Sequence, residues 1–215
     1  RRIWKKRLPS RTLQDLEREI LELPRTDDDV PGWMIPEIYF NFLRNGDGSV
    51  LKNVIYHNGM DIVSLAALFI RIQQILEDEL FTDKVDVLDL FSIGEIYESL
   101  GDLKLAIRIY EYCNTIKTQE IILDGLDSRL STLYKKINNL DSAIEIWEKL
   151  ANDGDFSSCV ELAKYFEHNQ KDKIKAIKWT MKAIEVAQSD ISIPRHTKKS
   201  RLTELEKRCN RLERR

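Results

Sequence analysis

Glycine and proline are scarce in this chain, 8 and 5 of 215 residues. An all-β sandwich or barrel turns at short intervals, and that shortage disfavours one. Cysteine is also scarce. Cys113, Cys159 and Cys209 are far apart, odd in number and lack a CxxC spacing, which disfavours a disulfide framework or a zinc site. A reducing, cytoplasmic setting is the natural expectation. The apolar runs read as too short for the ~20 residues that span a bilayer, and no secretory signal is read at the start. No membrane partner is therefore expected. No glycine-rich phosphate loop is present, so no nucleotide cofactor is expected.

Neither sign of charge dominates. Lys and Arg number 34, Asp and Glu 36, for a formal net charge of -2. The chain as a whole is not an electrostatic nucleic-acid binder. The charge is uneven, however. Arg1, Arg2, Lys5, Lys6, Arg7 and Arg11 crowd the start, and the first five could track a phosphate backbone. Arg195, Lys198, Lys199 and Arg201 open the last segment, and Arg211, Arg214 and Arg215 close it. The plain reading of these runs is solvated helix faces. The apolar share is 42% and the charged share 33%, a helix-rich balance in a length that suits one large or two small domains. The sequence opens in mid-pattern on Arg-Arg-Ile-Trp and reads as the C-terminal piece of a longer polypeptide.

Along residues 1–23 the pattern predicts a short basic helix, a Leu-Pro-Ser break and a second helix. Ser10 or Thr12 would cap that helix, and Leu13, Leu16, Ile20 and Leu23 would line its buried side. Residues 24–34 read as a loop whose three aspartates, Asp27, Asp28 and Asp29, are solvated. Pro36 suits the first turn of a helix that ends before Asn45-Gly46-Asp47-Gly48. One further helix is expected from Leu51, and another from His57 to Leu80. In the second, Ile62, Leu65, Ala66, Phe69, Ile72, Ile75 and Leu76 would form a wide buried face. Trp33, Tyr39 and Phe40 read as core. His57 and Asp61 stand four apart, so a helix places the imidazole and the carboxylate on one face.

From about Phe81 the character changes. Gly101-Asp102-Leu103-Lys104-Leu105-Ala106-Ile107, Asn138-Asn139-Leu140-Asp141-Ser142-Ala143-Ile144 and Lys171-Asp172-Lys173-Ile174-Lys175-Ala176-Ile177 align without gaps, with the Ala-Ile pairs 37 and 33 residues apart. Periods near 34 predict tetratricopeptide-like helix pairs. Gly94, Tyr97, Ala106 and Tyr110 fall at the small and aromatic positions of the first pair. Ser131, Tyr134, Ala143 and Trp147 do so in the second. The third, with Ala163, Phe166, Ala176 and Thr180, has one extra residue in its turn and lacks the last aromatic. Small residues let two helices approach, and aromatics fill the gaps between pairs. A capping helix from about Thr197, with Leu202, Leu205, Cys209 and Leu212 inward, would close the array.

The first 80 residues carry a second, more specific pattern. Arg2-Ile3-Trp4, Leu8-Pro9-Ser10, Leu13, Leu16-Glu17, Arg25, Asp29-Val30-Pro31-Gly32, Ile35-Pro36, Tyr39-Phe40, Leu43-Arg44 and His57-Asn58 with Asp61 follow in order. The run resembles the C-terminal part of the YprB-like bacterial nucleases, which have a ribonuclease H-like α/β fold of the DEDD exonuclease superfamily. The resemblance implies a mostly α chain in two parts. Residues 1–80 would be the C-terminal portion of a nuclease domain, and residues 81–215 an α-solenoid of about three pairs. It also implies 3′–5′ exonuclease chemistry on DNA or RNA. Four carboxylates hold two cations, Mg²⁺ or Mn²⁺, for phosphodiester hydrolysis. Asp61 matches the last metal-binding aspartate, and His57 the residue that orients or deprotonates the attacking water. The spacing here leaves three residues between them, where the usual histidine type leaves four. Nothing in the chain matches the Asp-x-Glu strand motif or the middle aspartates, so this piece alone is expected to be inactive. The competing reading is a non-catalytic scaffold whose repeats bind a protein partner.

Overall fold

The computed structural model describes residues 1–23, 30, 32–118, 121 and 123–214. Among them are ten α-helices and no strand: α1 (Leu13–Ile20), α2 (Ile35–Asn45), α3 (Leu51–Gln74), α4 (Val87–Leu100), α5 (Leu103–Ile116), α6 (Leu126–Lys136), α7 (Leu140–Asn152), α8 (Phe156–His168), α9 (Lys173–Ser189) and α10 (Arg195–Arg214). The chain is mostly α, as expected. It forms two compact units, Arg1–Ile121 and Ile122–Arg215. The division by compactness thus falls elsewhere than the change of sequence character near residue 80, and the first repeat pair, α4 with α5, lies in the first unit.

The start of the chain explains that grouping. The expected basic helix is a single 3₁₀ turn, Ile3–Lys5. Trp4 is 1% exposed, with Ile3 and Leu8 buried beside it, and this turn packs on α4. Thr12 caps α1, its side-chain oxygen accepting from the Asp15 amide at 3.2 Å. Leu16 is buried, Leu13 and Ile20 are half-buried, and Leu23 is exposed. Gly46, at φ +68°, ends α2 in the left-handed conformation that glycine takes without strain.

Residues 51–80 correct three expectations. One continuous helix, not two, runs from Leu51, so His57 sits in its second turn; a π-type turn, Ile75–Glu79, extends it. The apolar face expected to be buried is open over much of its length: Ile62, Leu65 and Phe69 are 61, 57 and 67% exposed, while Ile72 and Leu76 are half-buried and Ile75 is buried as expected. The inward stripe is instead mixed, with His57 and Asp61 half-buried and Ser64, Leu68 and Ile75 buried. Trp33, Tyr39 and Phe40 are likewise exposed rather than core. Finally, Leu51–Glu79 is 29 residues long and apolar enough by composition to cross a membrane, contrary to the reading that no run is long enough. The stretch of aspartates Asp27–29 lies outside the described residues.

The repeat pairs follow the sequence closely. The residue before each N-cap has a left-handed backbone: Gly101 at φ +85°, Asn138 at +61° and Lys171 at +55°. The next residue caps the second helix. Asp102 accepts from Leu105 N at 3.1 Å, Asn139 from Ser142 N at 3.4 Å, and Asp172 from Lys175 N at 3.0 Å. Behind these turns the Asp102 amide donates to Tyr97 O and the Asn139 amide to Tyr134 O, five residues back. The Asp172 amide reaches six back, to Phe166 O, which accommodates the extra residue of the third turn.

Gly94 is small because it must be. A Cβ there would stand 2.4 Å from the Tyr110 ring. Tyr110 is fully buried, and its hydroxyl donates to Glu98 at 3.0 Å. In the second unit Ala143, Leu162, Ala163, Ala176 and Ala183 are fully buried, with Trp147, Phe166 and Trp179 filling the space between helices. Thr180 takes the place of the missing aromatic. It is fully buried, and its hydroxyl donates to Ala176 O at 2.7 Å, which satisfies the polar atom. α10 packs on α9 through Leu205 and Leu212.

Candidate active site

The site residues read from the sequence come together on α3. His57 Nε2 lies 3.5 Å from Asp61 Oδ2, with side chains 16 and 31% exposed. One helical turn sets this geometry, and no contact with a distant element is needed to hold it. The two residues share the inward stripe with Ser64, which is 2% exposed. α1 and α2 both pack on α3. Glu17 on α1 is 3% exposed, a buried carboxylate that the helical period did not single out, although Leu16-Glu17 is one of the matching blocks.

The donor set for a two-cation centre is incomplete here. Among the described residues, no three His, Cys, Asp or Glu side chains stand close enough to hold a metal ion. Asp61 with His57 is one carboxylate and one imidazole, and these alone do not fit the pair of cations that the resemblance implies.

The N-terminal cations have partners inside the chain. Arg7 donates to Asp89 Oδ2 on α4 through Nε at 2.8 Å and Nη2 at 2.7 Å. Lys5 and Lys6 reach Glu95 at 3.4 and 3.5 Å, and Lys6 also stands 4.6 Å above the Phe91 ring. Arg2 donates to the Ser99 hydroxyl at 3.3 Å, while Arg1 is exposed. Three of these five candidate nucleic-acid contacts are therefore ion-paired with α4, which leaves little free charge for phosphate. The sequence showed the cations but not their partners, more than 80 positions away. Asp89 is nearly inaccessible, and its Oδ1 has no hydrogen-bond partner. Burial pushes its carboxyl above the usual range, against the pull of Arg7. Burial also drives the Cys113 thiol up to about 12, so this cysteine is inert.

Residues 1–73 match the model of the RNase_H superfamily, and residues 90–119 match the tetratricopeptide repeat. The chain is thus similar to a segment of the RNase H superfamily followed by a tetratricopeptide repeat. In particular, it is 32% identical over 181 residues to the protein described as "Uncharacterized protein YprB" of Bacillus subtilis (strain 168). That alignment covers 82% of this chain and 43% of the relative, so the chain spans less than half of the relative's length.

Proposed function

We propose that this chain is the helical portion of a metal-dependent exonuclease that hydrolyses nucleic-acid phosphodiesters, with the repeats as a protein-binding extension. The observation that carries the reading is the His57–Asp61 pair, 3.5 Å apart on the inward stripe of α3, inside the segment matched to the RNase H superfamily. Asp61 is assigned to a divalent cation, Mg²⁺ or Mn²⁺, both of which favour carboxylate oxygen. Bound there, such a cation would supply Lewis-acid chemistry and an acidified water. His57 is assigned to holding the attacking water or taking its proton. The remaining carboxylates would come from the longer protein, so these 215 residues by themselves are inactive on this reading. The open apolar face of α3, with Ile62, Leu65 and Phe69, then packs against further elements of the nuclease domain. An exposed apolar surface of that kind marks an interaction site.

The test is a nuclease assay on the longer protein with Mg²⁺ or Mn²⁺ and a 5′-labelled single strand. Metal-dependent shortening is expected from the 3′ end, lost in Asp61→Asn and reduced about a hundredfold or more in His57→Ala. A folded protein with no activity, or with activity indifferent to Asp61, would overturn this reading. It would leave a repeat scaffold that binds a protein partner.

A further inference from the structure

The charge of this chain is segregated. Residues 173–215 hold 13 Lys and Arg against 5 Asp and Glu, while residues 12–172 hold 15 against 31. Part of that excess, Lys199, Lys207 and Arg214, lies on one side of α10. Its inward side is taken by Leu205 and Leu212, and Arg208 and Arg211 pair with Glu167 of α8 at 3.3 and 2.5 Å. Opposite them His196, Lys199, Thr203, Lys207 and Arg214 are exposed. At 100° per residue these positions form a single stripe along the helix, with Glu204, Glu206 and Glu213 to either side of it. Lys199, Lys207 and Arg214 make no ion pair among the described residues. A helix that merely caps an array needs polar residues outward but no particular sign. No acid lies within this stripe over the roughly 27 Å from His196 to Arg214, although Glu206 borders it about 20° from Lys199.

We propose that the outer stripe of α10 binds the phosphate backbone of a nucleic acid, a second contact remote in sequence from the His57–Asp61 pair. The choice of nucleic acid rests on the functional reading above. The charges recur at about 12 and 10 Å along the axis, an interval of about three nucleotides of one strand at 3.4 Å each. The stripe has no aromatic residue on which a base could stack, so contact is with phosphate alone, independent of sequence and strongly salt-dependent. A membrane surface fits less well. A helix lying in the interface buries an apolar face in lipid, and the apolar side of α10 is already used by α9.

The experiment is fluorescence anisotropy of the 215-residue chain with a labelled oligothymidylate of about twenty nucleotides, in EDTA and over a series of salt concentrations. EDTA removes catalysis, so a failed binding test and a failed nuclease test are separate results. Wild type is compared with Lys199→Glu/Lys207→Glu/Arg214→Glu. A second triple variant, Lys104→Glu/Lys117→Glu/Lys136→Glu, makes the same charge change elsewhere. Circular dichroism shows that each is folded. Binding is expected to weaken at least about tenfold, with a shallower salt slope, in the α10 variant only. Equal weakening in both variants overturns the proposal, as does no binding at low salt. So does binding in which the oligonucleotide is untouched by the α10 change while an acidic peptide or anionic vesicle is released.

Discussion

Helix α3 and helix α4 are both rich in apolar residues, yet they use them differently. Of the 24 residues of α3 only Ser64 and Leu68 are buried. Of the 14 of α4, seven are: Val87, Asp89, Leu90, Phe91, Ser92, Ile93 and Gly94. A tetratricopeptide helix finds its partner in the next helix along the chain, so its apolar side closes locally. The apolar side of α3 is only edged by α1, where Leu65, Phe69 and Ile72 share a cleft with Leu13 and Leu16, and Ile62, Leu65 and Phe69 stay exposed. Apolar content therefore says that a surface wants cover, and not whether nearby sequence supplies it.

The sharpest way to break this comparison is Arg7, the tie between the N-terminal turn and α4. Arg7→Ala leaves the Asp89 carboxylate buried and unpaired, and a loss of about 3–5 kcal/mol is expected by denaturant unfolding. The effect has a pH signature. Burial already raises the Asp89 pKa, and removing Arg7 raises it further. A group whose folded pKa lies above its unfolded value favours the folded state below the unfolded pKa, and that contribution is lost as pH rises through the folded pKa. The stability gap between variant and wild type should narrow as pH falls from 7 toward 4. A gap that widened would show that Asp89 is not the group responsible.

Core truncation comes next. Leu90→Ala on α4, at a fully buried site, should cost about 2–5 kcal/mol in the same unfolding experiment. Gly94→Ala should cost about 1–3 kcal/mol by overpacking, because its new methyl meets the Tyr110 ring. A thermal melt unchanged from wild type would remove the close helix approach from this account. In the opposite direction, Lys171→Gly relieves a left-handed residue at φ +55° and should stabilise by about 0.5–1 kcal/mol. The smallest effect is expected on α3. Phe69→Ser should lie within about 0.5 kcal/mol of wild type in this chain. In the longer protein the same change should be costly if a nuclease domain covers that face.

The repeats were legible in the sequence because their determinants are local. A left-handed residue, a cap and a small-aromatic pattern recur at fixed intervals, so Asp102, Asn139 and Asp172 could be aligned before any packing was known. The His57–Asp61 pair was legible for the same reason, being one helical turn apart. What failed was non-local. The inward side of α3 carries His57, Asp61 and Ser64, while Ile62, Leu65 and Phe69 stay exposed, the last two at the edge of a cleft with Leu13 and Leu16. Hydrophobic period alone picks the richer side as buried. Nothing near Arg7 in sequence points to Asp89, so from the sequence its charge reads as solvated or as available to phosphate.

The docking of Trp4 and Arg7 on α4 has a practical consequence for anyone dividing this protein. Family boundaries invite a cut in the short connection before Val87, yet the two sides share one interior. A protease nick there should leave the fragments associated on a sizing column until denaturant is added. A recombinant repeat region begun after residue 80 would bare the side of Phe91 and Asp89 that Lys6 and Arg7 cover. Insolubility of such a piece would then report a misplaced cut, and say nothing about whether the repeats can fold.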